Sequence, residues 1–396
     1  MKVAFLTAGG VAPCLSASIG RLIRNYSNQE PNIVMMGYLH GYKGLLTDKS
    51  ITIDQNVIDN SETLYKYGGS PIGNSRIKLT NVEDCVKQGV IKDGGDPLKA
   101  AADQLIKDNI TILHTIGGDD TNTSAGELVN YLEKYGYDLT VVGLPKTVDN
   151  DIFPIQQTLG AWTAAEQGAI FFENISNENT TSSRHLIIHE IMGRKCGWLT
   201  AATTMEYRRK LENKKFLPSI LIEKERWDVD AVYIPEMEID VSKEANRLTK
   251  RMDEKDSVNI FLSEGAGIES IVSEMENRGD EVKRDAFGHV RLDGINPGQH
   301  FAKQFSQAID ADKVLVQKSG YFARSAKPNK RDLELIFQTA DLAVECAIDG
   351  KSGVVGLDED QENQLQCIEF DRIKGGKPFD PNRDWFKSIL TEIGQK

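Results

Sequence analysis

The sequence predicts an α/β protein built as two doubly wound, mostly parallel lobes with one insertion. Short apolar runs alternate with helically spaced apolar patterns, that alternation occurs twice along the chain, and the runs end in glycine-rich or charged loops. Near-continuous apolar strands separated by amphipathic helices are the pattern of a parallel sheet covered on both faces. At 396 residues, and roughly 150 residues per domain, two lobes plus additions account for the length.

The elements follow in order. Lys2 to Thr7 is an apolar run ending in Gly9-Gly10, and Pro13 is well placed at the start of a helix. Leu15, Ile19, Leu22 and Ile23 then recur at helical spacing. Asn32 to Tyr38 reads as a second strand, Ile110 to Ile116 as a third, Ser124 to Tyr135 as a helix, and Thr140 to Leu144 as a fourth strand. A second series comprises Leu186 to Met192, Ala231 to Pro235, Val258 to Leu262 and Lys313 to Gln317, followed by a helix from Asp332 to Ile348. The charged, turn-rich stretch 265–312 reads as the insertion. The expected lobes are 1–145 with about 325–396, and 146–264 with 313–324.

Composition excludes several classes. The chain is 40% hydrophobic and 27% charged, ordinary for a globular protein. Its 59 acidic side chains exceed its 47 basic ones, a net charge of -12 with no long Lys/Arg run, so nucleic acid is not an expected partner. No stretch approaches ~18 apolar residues, the length needed to span a membrane. The N-terminal run meets glycine too early for a signal peptide. Cys14, Cys85, Cys196, Cys346 and Cys367 are odd in number and scattered, which speaks against a disulfide framework and a zinc site and for a reducing cytoplasm.

In open α/β sheets ligands bind beyond the carboxyl ends of the strands, so the loops there carry the chemistry. Gly9-Gly10 lets backbone N–H groups approach a phosphate, although a plain tight turn also needs such glycines. In Gly117-Gly118-Asp119-Asp120-Thr121-Asn122-Thr123-Ser124, Ser124 and Glu127 form a capping box. The two carboxylates there offer hard oxygen ligands for Mg²⁺, or else serve as acids at a helix start. Pro145-Lys146-Thr147-Val148-Asp149-Asn150-Asp151 ends the next strand, with two aspartates that can divide the work of general base and metal or water ligand. Met192-Gly193-Arg194, Ser263-Glu264-Gly265 and Gly320-Tyr321-Phe322-Ala323-Arg324 end strands of the second series. Arginines suit a phosphate monoester, and a glutamate accepts from sugar hydroxyls. One lobe holding phosphates and magnesium, the other a phosphorylated polyol, and an aspartate base between them describe phosphoryl transfer.

The five motifs from Gly117 to Arg324, in this order, resemble the phosphofructokinase family, most closely its pyrophosphate-dependent members, and the fit runs from Gly9 to about Arg324. The resemblance implies the phosphofructokinase fold of two Rossmann-like lobes. It implies Mg²⁺ as cofactor, fructose 6-phosphate and pyrophosphate as substrates, a homodimer or homotetramer, and a cytoplasmic place in glycolysis or gluconeogenesis. Asp149 matches the base for the sugar 1-hydroxyl, Asp119 the magnesium-associated acid, and Gly10 and Arg76 the donor-phosphate site. Thr147, Val148 and Asp151 match the surroundings of the transferring group. Met192, Gly193, Arg194, Glu264, Tyr321, Phe322, Ala323 and Arg324 match the sugar-phosphate site.

Donor choice turns on two positions within the resemblance. ATP-using relatives have glycine where Asp120 stands, leaving room for the nucleotide α-phosphate, and another glycine where Lys146 stands. A carboxylate ~4 Å from that phosphate, at an effective dielectric of ~20, repels it by ~4 kcal/mol, about a thousandfold. Lys146 neutralises a pyrophosphate transition state. The alternatives are an ATP-dependent phosphofructokinase or a catalytically silent regulatory subunit, the latter disfavoured by Asp119, Asp149 and Arg194. In the first loop, Gly10-Val11-Ala12-Pro13-Cys14 departs from the family's aspartate after the second glycine and glycine after the proline. Gly288-His289-Val290-Arg291 mimics the Tyr321–Arg324 motif with the wrong spacing. A family arginine that crosses the subunit interface falls on His185, beside Arg184. His40, His114, His189, His289 and His300 show no metal-ligand spacing and read as packing or surface groups, and Cys196 as a buried one.

Overall fold

The computed structural model describes residues 1–30, 32–283 and 292–396. Its strands are β1 (Lys2–Thr7), β2 (Val34–Tyr38), β3 (Ser50–Thr52), β4 (Ile112–Gly117), β5 (Thr140–Pro145), β6 (Ile152–Phe153) and β7 (His185–Ile191). There follow β8 (Ala231–Tyr233), β9 (Ser257–Ser263), β10 (Lys313–Lys318), β11 (Gly353–Asp358), β12 (Gln364–Ile368) and β13 (Lys374–Gly375). The chain divides into two compact units, Met1–Thr163 with Arg324–Lys377, and Ala164–Ala323 with Pro378–Lys396. Compared with the lobes drawn from sequence, residues 146–163 and Arg324 fall in the first unit and 378–396 in the second.

The first unit is built on a sheet ordered β12-β11-β5-β4-β1-β2-β3. Its neighbours run parallel except at the two edges, where β3 and β12 are antiparallel. Every residue of β4 and β5 is buried, as a central strand covered on both faces must be. On one face Leu6, Tyr38, Leu113, Leu128 and Val141 share a core. The chain goes from β1 to β2 on one side and returns to β4 on the other, so the order reverses between β1 and β4. That reversal opens a crevice at the carboxyl ends of these strands.

The helix expected from Ser124 starts five residues earlier, spanning Asp119–Lys134 with Gly118 as its N-cap and no side-chain cap. Ser124 is buried inside it, so the Ser124/Glu127 capping box is not formed. Thus Asp119 and Asp120 occupy the first helical turn, where acids complement the helix dipole. The helix expected from Asp332 begins at Lys330, and its cap is the Asn329 side chain, which accepts from the Asp332 N–H at 2.9 Å.

The second unit has the all-parallel order β10-β7-β9-β8, reversing between β7 and β10. Described residues of the 265–312 stretch, read as an insertion, supply part of its core. The helix Pro297–Ala308 buries Phe301, Ala302 and Phe305 beside Leu186 and Ile260. Its polar spacing hid that role, because only one face of the helix is apolar. Of the histidines, His114 and His189 are buried against Phe5 and Phe172, His300 lies 3.7 Å from Glu274, and His289 falls outside the described residues, as does the rest of the 288–291 motif. No helix among the described residues is long and apolar enough to cross a membrane.

Candidate active site

In the first unit the loops after β1, β4 and β5 converge. Gly9 has φ +86, which glycine adopts without strain, and a Cβ there would lie 3.0 Å from the Lys146 ammonium. Lys146 is buried and donates from Nζ to the Gly10 carbonyl at 2.7 Å. Burial, with Arg76 adding repulsion, pulls its pKa down to about 8 against the opposing pull of Cys14, Asp151 and Asp149. Arg76 is brought to the same loop by its neighbours. The Gly9 N–H donates to the Ser75 carbonyl at 2.8 Å, Asn74 Nδ2 donates to the Gly9 carbonyl at 2.8 Å, and Arg76 NH2 lies 3.9 Å from a Cβ built at Gly10. Pro13 and Cys14 are buried, and Cys14 precedes the helix Leu15–Gln29.

The loop after β5 is held by its own residues. The Lys146 N–H donates to the Gly117 carbonyl at 2.8 Å, tying the loop to β4. Asn150 adopts a left-handed backbone with φ 55, a region that asparagine tolerates better than most residues. Its buried side chain accepts from the Thr158 N–H at 2.8 Å. Thr147 Oγ1 accepts from the Asp149 N–H and donates to Asp151 Oδ1, each at 3.1 Å. Val148 is buried beneath. Asn150 and Thr158 therefore shape this loop, which residue typing alone does not reveal.

Asp151 lies near enough to Asp119 to feel its charge. Burial pushes the Asp119 carboxyl up, with Asp120 adding to it. Burial and then Asp119 push Asp151 up. A divalent cation would relieve both desolvation and mutual repulsion, so the pair fits Mg²⁺, which commonly takes one or two carboxylates plus water and substrate phosphate. Among the described residues no cluster of three or more His, Cys, Asp or Glu is arranged for a metal. Asp120 diverges from this pair and meets Lys78 Nζ at 2.7 Å. Lys78, two residues beyond Arg76, thus sets a cation beside this carboxylate, a partner the sequence reading did not include.

In the second unit the loops after β7, β9 and β10 are adjacent. Ser263 Oγ donates to the Gly193 carbonyl at 2.5 Å, and the Gly193 N–H donates to Glu264 Oε1 at 3.4 Å. Gly193 has φ +126, and a Cβ there would lie 2.4 Å from the Cys196 carbonyl oxygen. Burial pushes the Glu264 carboxyl up. Met192 packs against Gly320, whose Cβ would stand 3.0 Å from Met192 Cγ. Arg194, Tyr321 and Phe322 are exposed, Phe322 packs on Phe171, and Ala323 is buried. Arg324, at the end of the helix Gly320–Arg324, is grouped with the first unit. Arg184 and His185 lie at the opposite, amino end of β7, and Arg184 is engaged by Asp253 at 2.8 Å and by carbonyls of Ile309 and Asp310.

A glycine-lined loop with a buried lysine and two acids of raised pKa in one α/β unit, and a glycine–arginine–glutamate loop set in another, suit a phosphoryl-transfer protein. A family model described as Phosphofructokinase matches residues 2–347, and the chain belongs to the phosphofructokinase family. It is 57% identical to the pyrophosphate–fructose 6-phosphate 1-phosphotransferase of Methylotuvimicrobium alcaliphilum, covering 100% of this chain and 96% of that one. It is 55% identical to the enzyme of that name from Propionibacterium freudenreichii subsp. shermanii, covering 100% and 98%. Among solved structures, the pyrophosphate-dependent phosphofructokinase of Marinobacter aquaeolei superposes with a TM-score of 0.71 at 19% identity, covering 99% of this chain and 91% of that one, which bears on the fold.

Proposed function

We infer that the protein reversibly transfers a phosphoryl group from pyrophosphate to the 1-hydroxyl of D-fructose 6-phosphate, giving fructose 1,6-bisphosphate and phosphate, a step of glycolysis and gluconeogenesis. One observation carries the donor assignment: Lys146 sits buried beneath Gly10 and beside Arg76, a cationic floor where ATP-using relatives have glycine. Asp149 accepts the proton of the 1-hydroxyl as that oxygen attacks the nearer phosphorus. The bridging P–O bond then breaks, and its electron pair leaves with phosphate. Arg76 and charged Lys146 hold the pyrophosphate and offset charge on the leaving group, and Gly10 lets the main chain approach it. Thr147 and Val148 fix the turn that aims Asp149. Asp119 and Asp151 would hold Mg²⁺, which when bound screens the phosphate oxygens and polarises the phosphorus. Arg194 and Arg324 take the 6-phosphate, Glu264 accepts from sugar hydroxyls, and Met192, Gly193, Tyr321, Phe322 and Ala323 shape that side.

The reading also makes the protein a homodimer or homotetramer, and a cytoplasmic one, in keeping with five unbridged cysteines. The test is a coupled assay run with each donor. Turnover with pyrophosphate well above that with ATP is expected, and equal or better turnover with ATP sinks the donor assignment.

A further inference from the structure

The stretch after residue 325 carries no recognisable motif, yet part of it reaches the acid pair. Within the first unit β13 runs antiparallel to β6, with Gly375 opposite Ile152 and Lys374 opposite Phe153. The Lys377 N–H donates to the Asp151 carbonyl at 3.0 Å. Lys377 Nζ donates to the Ile155 carbonyl and to Glu359 Oε1, the latter at 3.1 Å. The segment is thereby fixed to the loop that bears Asp151.

Gly375 faces Asp119 at close quarters. A Cβ at Gly375 would lie 1.7 Å from Asp119 Oδ2, 2.4 Å from its Cγ and 2.9 Å from its Cβ. Rotating the carboxylate relieves the first clash but not the last, because the helix backbone fixes the Asp119 Cβ. Gly375 does not adopt a positive φ, unlike its neighbour Gly376 with φ +79. Backbone conformation therefore does not demand glycine at 375, whereas the carboxylate does.

We propose that Gly375 is a positioning residue of the divalent-cation site, its bare main chain forming the wall that holds the Asp119 carboxylate where it shares a cation with Asp151. The proposal rests on the reading that Asp119 and Asp151 hold Mg²⁺. Any larger side chain displaces Asp119 or lifts β13 away from β6, and either change separates the two acids from their common ligand.

The test titrates Mn²⁺ alone into the full-length protein and follows loss of the free-ion EPR signal, alongside Mg²⁺ activation of the pyrophosphate reaction. Gly375→Ala should weaken Mn²⁺ binding at least tenfold and raise the Mg²⁺ needed for half-activation comparably, while the KM for fructose 6-phosphate stays within about twofold. Gly376→Ala strains the same turn without approaching Asp119, so it should leave Mn²⁺ affinity within about twofold. Should Gly375→Ala fail to fold, Lys377→Met carries the test: it loosens the segment without adding an atom at Asp119, and unchanged Mn²⁺ affinity overturns the proposal. Asp119→Asn separates the two levels. If it binds Mn²⁺ like the parent, the acid-pair reading itself falls and the proposal with it. If it loses Mn²⁺ while folded Gly375→Ala retains it, only the role of Gly375 falls.

Discussion

Replacing Asp120 separates bulk from charge in donor choice. The side chain stands 2.7 Å from Lys78, and the two are 56% and 35% exposed. For a nucleotide α-phosphate ~4 Å from the carboxylate and ~6 Å from the ammonium, an effective dielectric of ~20 gives ~4 kcal/mol of repulsion and ~3 kcal/mol of attraction. The remainder, ~1.4 kcal/mol, is about tenfold in affinity, and solvent around two part-exposed groups lowers it below that. Most of any exclusion of ATP must then be steric. Asp120→Asn, which removes charge and keeps shape, should improve kcat/KM for ATP by less than tenfold. Asp120→Gly should improve it far more. The assay is steady-state kinetics with both donors at saturating fructose 6-phosphate. If Asp120→Asn recovers as much ATP use as Asp120→Gly, charge dominates and Lys78 does not offset it.

Three further outcomes are expected. Asp149→Ser should lower kcat by several orders while substrate affinities stay near those of the parent, and a near-normal kcat removes Asp149 as the base. Lys146, pulled down to about 8, is charged below that pH and neutral above it. Hence kcat/KM for pyrophosphate should fall above pH 8 in the parent, and the limb should move to higher pH in Lys146→Arg; an unmoved limb reports the ionisation of pyrophosphate instead. Asp151 has its folded pKa raised, so its charge costs stability above that pKa, and the cost vanishes as pH falls through it. Asp151→Asn should therefore melt higher than the metal-free parent at pH 7, lose that advantage in acid, and gain nothing from added Mg²⁺ in a thermal-shift assay; a lower melting point at pH 7 counts against the argument.

Strand positions were legible because burial on both faces writes itself as an apolar run: Lys2–Thr7 appears unchanged, and β5 differs from Thr140–Leu144 by one residue. Helix starts were less so. The Ser124/Glu127 pattern suggested a later start, whereas Gly118 caps the helix without any side chain. Most residues expected to carry chemistry lie just beyond strand ends within their own unit, since alternating strands and loops place them there by topology, whereas Arg76 lies on a segment that follows no strand end. What stayed hidden were partners set by distance in space. Nothing beside Lys78 or Gly375 in the chain announces Asp120 or Asp119, because those approaches arise from sheet order and from a two-residue ribbon. Phe301 and Phe305 were masked for a related reason: their helix shows polar residues on the face away from the core.

The order of strands in the first sheet bears on how the protein is made. β5 is fully buried, and its outer neighbour is β11, which begins at Gly353. A ribosome finishing β5 must therefore add roughly 200 residues, the whole second sheet among them, before that edge can be paired. At ~5–20 residues per second this leaves an apolar strand edge open for roughly 10–40 s. Slow synthesis or a chain stalled before β11 would expose Thr140–Pro145 as a template for pairing with other chains, so chaperone demand should track elongation speed across this gap.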